Sequence, residues 1–215
     1  MPRWLEMVLI VGIALVLAAV TKTFFVQSFF VPSGSMKPVF EQDDRILVEK
    51  VSYWNGDIRR GDVVVFDDSQ HWLDPVAVQV AAGPVQKALE AVGLWPTGGH
   101  LVKRVIGLPG DTVACCDADG RVTVNGVGLD ETDYLAKGAQ PSETPFRVTV
   151  PADHLWMMGD NRQNSEDSRA HIHEPGHGYV PVEDVVGKVW AVVWPADRIG
   201  LLHRPGTFDN PDLDG

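Results

Sequence analysis

The chain has 215 residues, 45% of them hydrophobic and 22% charged, which argues against wholesale disorder and against a polytopic membrane protein. That length sets an expectation of one domain with an appendage. Eighteen basic residues against 29 acidic ones leave a net charge of −11, the wrong sign for a general nucleic-acid binder.

The charge is unevenly spread. Residues 1–35 hold Arg3 and Lys22 against Glu6, so the whole negative excess belongs to the chain beyond Ser35. Met7 to Val20 is an unbroken apolar run, and extending it from Trp4 to Thr23 gives enough helix, at ~1.5 Å per residue, to cross a ~30 Å hydrocarbon core. Glu6 and Lys22 then fall near opposite interfaces, with Trp4 in the aromatic belt. A cleaved signal peptide is the rival, since Val16-Leu17-Ala18-Ala19 ends in small residues. Against it, Glu6 offsets Arg3, and apolar character resumes at once in Phe24, Phe25, Phe29 and Phe30. A retained anchor over residues 1–23 is therefore expected, with the four phenylalanines forming either a membrane-resting rim or ordinary core.

After Val31-Pro32 the pattern becomes short Val-rich runs punctuated by Gly, Pro and Asp. Strands are expected at Arg45–Val51, Asp62–Phe66, Leu101–Gly107, Thr112–Cys115, Arg121–Val124, Phe146–Val150, Leu155–Met158 and Val185–Trp194, a mainly antiparallel β body. Asp119-Gly120 reads as a hairpin turn. The window Pro84–Leu94 has helical spacing and lies in an insert, residues 67–100. The body is expected to extend over residues 24–202, and the acidic tail, residues 203–215, to be disordered. The only two cysteines, Cys115 and Cys116, are adjacent; a vicinal disulfide or two free thiols are open, and the geometric demands of the bond favour thiols.

Four strings are over-specified for packing: Pro32-Ser33-Gly34-Ser35-Met36, then residues 61–66, 103–111 and 159–169. The first presents a serine on a turn, and a serine hydroxyl needs an adjacent base to attack anything. His171, His173 and His177 form a possible metal trio, but a Gly/Pro loop gives them no aim, and solvent-exposed loop histidines are the plainer reading. His100 is a weak base candidate, having no partner acid motif. Lysine is better placed. On a strand through 101–107, Leu101, Lys103 and Val105 share one face, while Val102, Arg104 and Ile106 share the other. Burial can lower a lysine pKa towards neutrality, and arginine cannot deprotonate, so a base on this strand must be Lys103 rather than Arg104. A snorkelling surface lysine is the plain alternative. Lys37 competes, but the acidic residues beginning at Glu41 would keep it charged.

In this order and behind an apolar N-terminal segment, the four strings resemble bacterial type I signal peptidase over roughly Phe29 to Trp194. The resemblance implies a mostly β fold and a membrane-bound serine endopeptidase. Its expected substrates are preprotein signal peptides, cut after small P1 and P3 residues, and its expected surroundings include membrane lipid. No cofactor, metal or nucleic acid is implied. Carried onto this sequence, it makes Ser35 the nucleophile and Lys103 the general base of a Ser–Lys dyad. Ser33, with the Ser35 N–H, matches the oxyanion hole. Ser165 matches a serine that hydrogen-bonds the lysine, and Asp167 with Arg169 a nearby ion pair. Eukaryotic relatives carry histidine at the position of Lys103. This chain departs from the pattern at Met36-Lys37-Pro38-Val39 and in the insert. The catalytic body is expected outside the cell membrane, with the N-terminus cytoplasmic. Two other classes compete: a tethered β protein presenting an acidic surface, and a self-cleaving repressor, which the missing basic DNA-binding segment excludes.

Overall fold

The computed structural model describes residues 2–24, 26–50, 58–73 and 99–214. The expected helix at Pro84–Leu94 lies outside the described residues. A helix, α1 (Arg3–Phe24), leads directly into the first strand. Its side chains through Ala14 are exposed, and those beyond are outside the described set. Among the described residues no helix is long and apolar enough to cross a membrane.

Among the described residues the body has twelve strands: β1 (Val26–Phe30), β2 (Arg45–Glu49), β3 (Val63–Asp67), β4 (His100–Gly107), β5 (Thr112–Cys115), β6 (Val122–Val124), β7 (Val127–Gly128), β8 (Phe146–Thr149), β9 (His154–Met158), β10 (Tyr179–Pro181), β11 (Val185–Trp194) and β12 (Gly200–Leu201). They form an eight-stranded sheet in the order β1-β2-β11-β3-β4-β9-β10, with β12 on β11, and a four-stranded sheet in the order β7-β6-β5-β8. All pairings are antiparallel, so the mainly β expectation is met.

Position in the sheet explains the sequence of each strand. β3 lies between β11 and β4, and Val63, Val64, Val65 and Phe66 are all buried. A strand covered on both faces reads as a continuous apolar run rather than an alternating one. Its side chains divide between two cores. Val63 and Val65 join Phe29, Met36, Phe40 and Ile46 beneath the loop that connects β1 to β2. Val64 and Phe66 pack with Val105, Leu155 and Met157 on the other face. A third core fills the space between the two sheets, around Ile106, Val113, Val124, Leu129 and Trp156.

The alternative left open for the phenylalanines divides between them, and the readings of the tail and the cysteines are corrected. Phe29 is core, 3% exposed, whereas Phe30 on the opposite face of β1 is 38% exposed; alternation along the strand separates the two. The segment expected to be disordered from residue 203 instead forms two 3-10 turns, Gly206–Asp209 and Pro211–Asp214. Phe208 and Leu213 anchor it in the core between the sheets, and composition alone undervalued those two apolar residues. Cys115 and Cys116 are joined as a vicinal disulfide at the end of β5, replacing the free-thiol reading. The two ends of the insert stand side by side, Asp67 opposite His100 in the β3–β4 ladder.

β1, β7, β10 and β12 escaped the sequence reading. β1 was absorbed into the greasy run after the helix. The β6–β7 hairpin had a signal: Asn125-Gly126 sits between the two strands, both residues with positive φ, a combination that marks a two-residue turn.

Candidate active site

Three segments remote in sequence converge. The loop between β1 and β2 carries Ser33 and Ser35. It is tied at its base by Val31 N–H to Asp44 O (2.9 Å) and Asp43 N–H to Val31 O (3.0 Å). Buried Asp44 caps Glu41 N–H at 2.8 Å and pairs with Arg198. Met36 and Phe40 drive the turn into the core. The second segment is the centre of β4, held between β3 and β9. The third is the loop 159–169, which leaves β9 where Met158 stands opposite Arg104.

Lys103 Nζ lies 2.8 Å from Ser35 Oγ. The lysine is 2% exposed and the serine 8%. Val64 is its cross-strand neighbour, and Leu101 and Val105 on its own face belong to the same apolar cluster as Val64, so the snorkelling alternative is excluded. Desolvation pushes the Lys103 amine down from the ordinary 10.5 to about 8, against the opposing pull of Asp167, Asp160 and Glu166. Ser33 Oγ lies 3.2 Å from Ser35 Oγ.

Asp167 is buried and forked by Arg169, with Oδ1 to Nε at 2.9 Å and Oδ2 to Nη2 at 2.8 Å. Its Oδ2 also accepts from Gly159 N–H at 2.9 Å. Burial raises the Asp167 pKa, but the hydrogen bond and charge of Arg169 outweigh it, and the carboxylate sits below its ordinary range. Ser165 does reach the site, yet its Oγ is buried without a hydrogen-bond partner, so the expected bond to the lysine is not made. Instead it packs on Gly159, where a Cβ would stand 2.1 Å from Ser165 Oγ and 2.6 Å from Ser35 O. Glycine is needed there for the loop to pass the serine turn so closely.

The sequence reading missed a buried ion network behind Ser35 and Lys103. Arg104, on the face of β4 opposite Lys103, forks Asp160 at 2.7 and 2.6 Å and donates to Gly61 O at 2.7 Å. Arg162 pairs with Glu131, which also accepts from Tyr134 OH at 2.5 Å. The Arg104 guanidinium lies 4.4 Å from the Tyr134 ring centre. Arg104, Asp160 and Arg162 lay within the strings singled out, whereas Glu131 and Tyr134 carried no local signal.

The other candidates fall elsewhere. His100 pairs with Asp67 at 3.0 Å and sets its ring edge-on to Phe29. Lys37 is paired with Glu41 at 2.7 Å, as the acidic neighbours implied. His171 is not a solvent-exposed loop histidine: it is buried, stacked on Trp72 at 4.6 Å, with Nδ1 2.7 Å from Glu174 Oε2. Among the described residues no cluster could hold a metal ion.

A buried amine with a lowered pKa in contact with a serine hydroxyl is an arrangement that can take up the hydroxyl proton and activate the oxygen as a nucleophile. The family model described as signal peptidase, peptidase S26, matches residues 4–194. The chain is 39% identical to signal peptidase I of Mycobacterium tuberculosis (strain CDC 1551 / Oshkosh), covering 92% of this chain and 75% of that one. It is 35% identical to signal peptidase I of Leptolyngbya laminosa, over 92% and 83% respectively. Against signal peptidase I P of Bacillus subtilis subsp. natto the identity is 34%, over 91% and 90%. The chain belongs to the signal peptidase family, peptidase S26, and is a hydrolase of that kind.

Proposed function

We propose that this chain is a membrane-anchored serine endopeptidase that removes the N-terminal signal peptides of exported preproteins, cutting after small residues at P1 and P3. The observation that carries the reading is the 2.8 Å contact between Lys103 Nζ and Ser35 Oγ in a buried setting. With the amine neutral, the proton lies on the hydroxyl and the nitrogen lone pair accepts it. Ser35 Oγ then bonds to the scissile carbonyl carbon as its proton passes to Lys103. The ammonium returns that proton to the leaving amine as the C–N bond breaks. Water then attacks the ester carbon as Lys103 takes its proton, and the ammonium returns that proton to Ser35 Oγ as the C–O bond breaks. Ser33 Oγ and the Ser35 N–H are the donors to the oxyanion.

Membrane attachment is proposed through α1 and the unbroken apolar run Met7–Val20 of its sequence. Exposed Phe30, Trp190, Trp194, Ile199 and Leu201 support it. Phe30, Arg45 and Trp194 occupy one row across β1, β2 and β11, and β1, the edge strand of that sheet, follows α1 directly. Aromatic and aliphatic side chains grouped in this way suit a lipid interface. The N-terminus is then cytoplasmic and the catalytic body extracytoplasmic.

The test is cleavage of a preprotein carrying Ala at P1 and P3 by the full chain in lipid or detergent. Ser35→Ala, Lys103→Ala and Lys103→Arg each abolish cleavage, and a bulky P1 residue blocks it. An active Lys103→Arg variant removes lysine from the mechanism, because arginine keeps the charge but does not release its proton.

A further inference from the structure

Asn161 holds both carbonyls on either side of the Ser35 nitrogen. Its backbone N–H donates to Ser35 O at 2.9 Å, and its side-chain Nδ2 donates to Gly34 O at 2.9 Å. A carbonyl oxygen only accepts, so the side-chain amide must present its NH2 group there. Gly34 O takes a second bond from Lys37 N–H at 3.2 Å. Asn161 is itself immobilised, because the buried pairs Asp160–Arg104 and Arg162–Glu131 flank it in sequence.

The Gly34–Ser35 peptide bond is trans, and in a planar trans peptide the N–H points opposite to the C=O. Glycine leaves the torsions on either side of its carbon freer than any other residue would, so this peptide plane turns unless something ties it. Securing Gly34 O towards Asn161 and Lys37 sends the Ser35 N–H the other way. Among the described residues no protein group accepts from that N–H.

We propose that Asn161 is a positioning residue that locks the Gly34–Ser35 peptide plane and thereby aims the Ser35 N–H at the oxyanion of the reacting carbonyl. The proposal rests on the reading of Ser35 as the nucleophile whose own N–H serves the oxyanion. Asn161 touches no reacting atom; it acts through the peptide it holds. Its effect belongs to the transition state, where charge develops on the oxygen, and not to substrate binding.

The experiment measures kcat, KM and the pH–rate profile of the full-length enzyme on one preprotein, for Asn161→Ala and the nearly isosteric Asn161→Leu, with Ser35→Ala alongside. Both Asn161 variants lower kcat about 10- to 100-fold and keep KM within about threefold. The midpoint of the rising pH limb stays where the parent enzyme has it, because the groups that face Lys103 (Asp160, Glu166, Asp167 and Arg169) are untouched. Should either variant fail to fold, Asn161→Asp keeps the volume and the backbone bond while losing the donor, and is read on kcat alone. A parent-like kcat, a loss carried by KM, or a displaced pH limb overturns the proposal. An active Ser35→Ala variant overturns the nucleophile reading and this inference with it. An inactive Ser35→Ala beside parent-like Asn161 variants overturns only the positioning role.

Discussion

Lys103 is a charged residue type buried without a carboxylate in contact, and in the proposed mechanism its cost and its use are the same fact. In the unfolded chain the amine takes up its proton near 10.5, in the folded protein only at about 8. Between those values the unfolded state binds more protons, so stability rises with pH from about 8 to about 10.5, and below 8 the full penalty remains. At about 1.4 kcal/mol per pKa unit the penalty is on the order of 3 kcal/mol. Lys103→Met is therefore expected to be inactive and yet more stable at pH 7, by up to that amount in denaturant unfolding. Activity of the parent enzyme is expected to rise with pH through about 8, since only the neutral amine accepts a proton. Glu166 raises the lysine pKa through space, so Glu166→Gln should move that limb to lower pH. A limb centred near 6.5, the range of a histidine base, would contradict the assignment.

Among the elements, β4 does two jobs because its side chains alternate. One face offers Lys103 to Ser35, and the other locks Arg104 to Asp160 at the start of the loop that packs on the serine turn. Removing one partner of a buried pair leaves the other charged and unmatched, so Asp160→Asn should cost about 3–5 kcal/mol in stability. The loop 159–169 depends on close approach at Gly159. Gly159→Ala would bring its methyl within 2.6 Å of Ser35 O and 2.1 Å of Ser165 Oγ, and one of the two contacts is backbone. The loop must back away from the serine, and a shift of about 1 Å at a reacting group costs about 100-fold. Steady-state kinetics on the folded variant would measure it. Ser165→Gly in the same chain should restore little, because the clash with the Ser35 carbonyl persists.

At the scale of the whole molecule, the C-terminal segment closes the space between the two sheets. Phe208 lies against Gly61, whose carbonyl takes Arg104 Nη1, and Leu213 fills the same core from further along. Arg60 joins Asp111 to Asp214 beside it. Phe208→Ala and Leu213→Ala should each destabilise by about 2–5 kcal/mol, as large-to-small changes in a packed core do. Thermal unfolding of the full chain would show it, and unchanged melting temperatures would mean that the segment is only loosely attached.

Local pattern determined much of this protein. The boundaries of Thr112–Cys115 and Val185–Trp194 were legible to the residue, because Val-rich runs between turn residues leave the backbone little choice. Alternation gave Lys103 and Arg104 a face each, and the chemistry of the two side chains alone singled out Lys103 as the candidate base. Packing decided what remained. Nothing local to Glu131 or Tyr134 signals their part in the buried ion network, since a buried charge is recognisable only once its partner arrives from another segment. His171 looked like loop and became core by stacking on Trp72, about a hundred residues earlier in the chain. The tail looked like acidic filler, and two apolar side chains found a space between sheets that exists only after the sheets have formed. Asn161 was visible inside a conspicuous string, but its geometry on Gly34 and Ser35 spans more than 120 residues. Periodicity reports the neighbours of a residue along the chain, whereas hydrogen bonds and burial at such separations are fixed only by the tertiary fold.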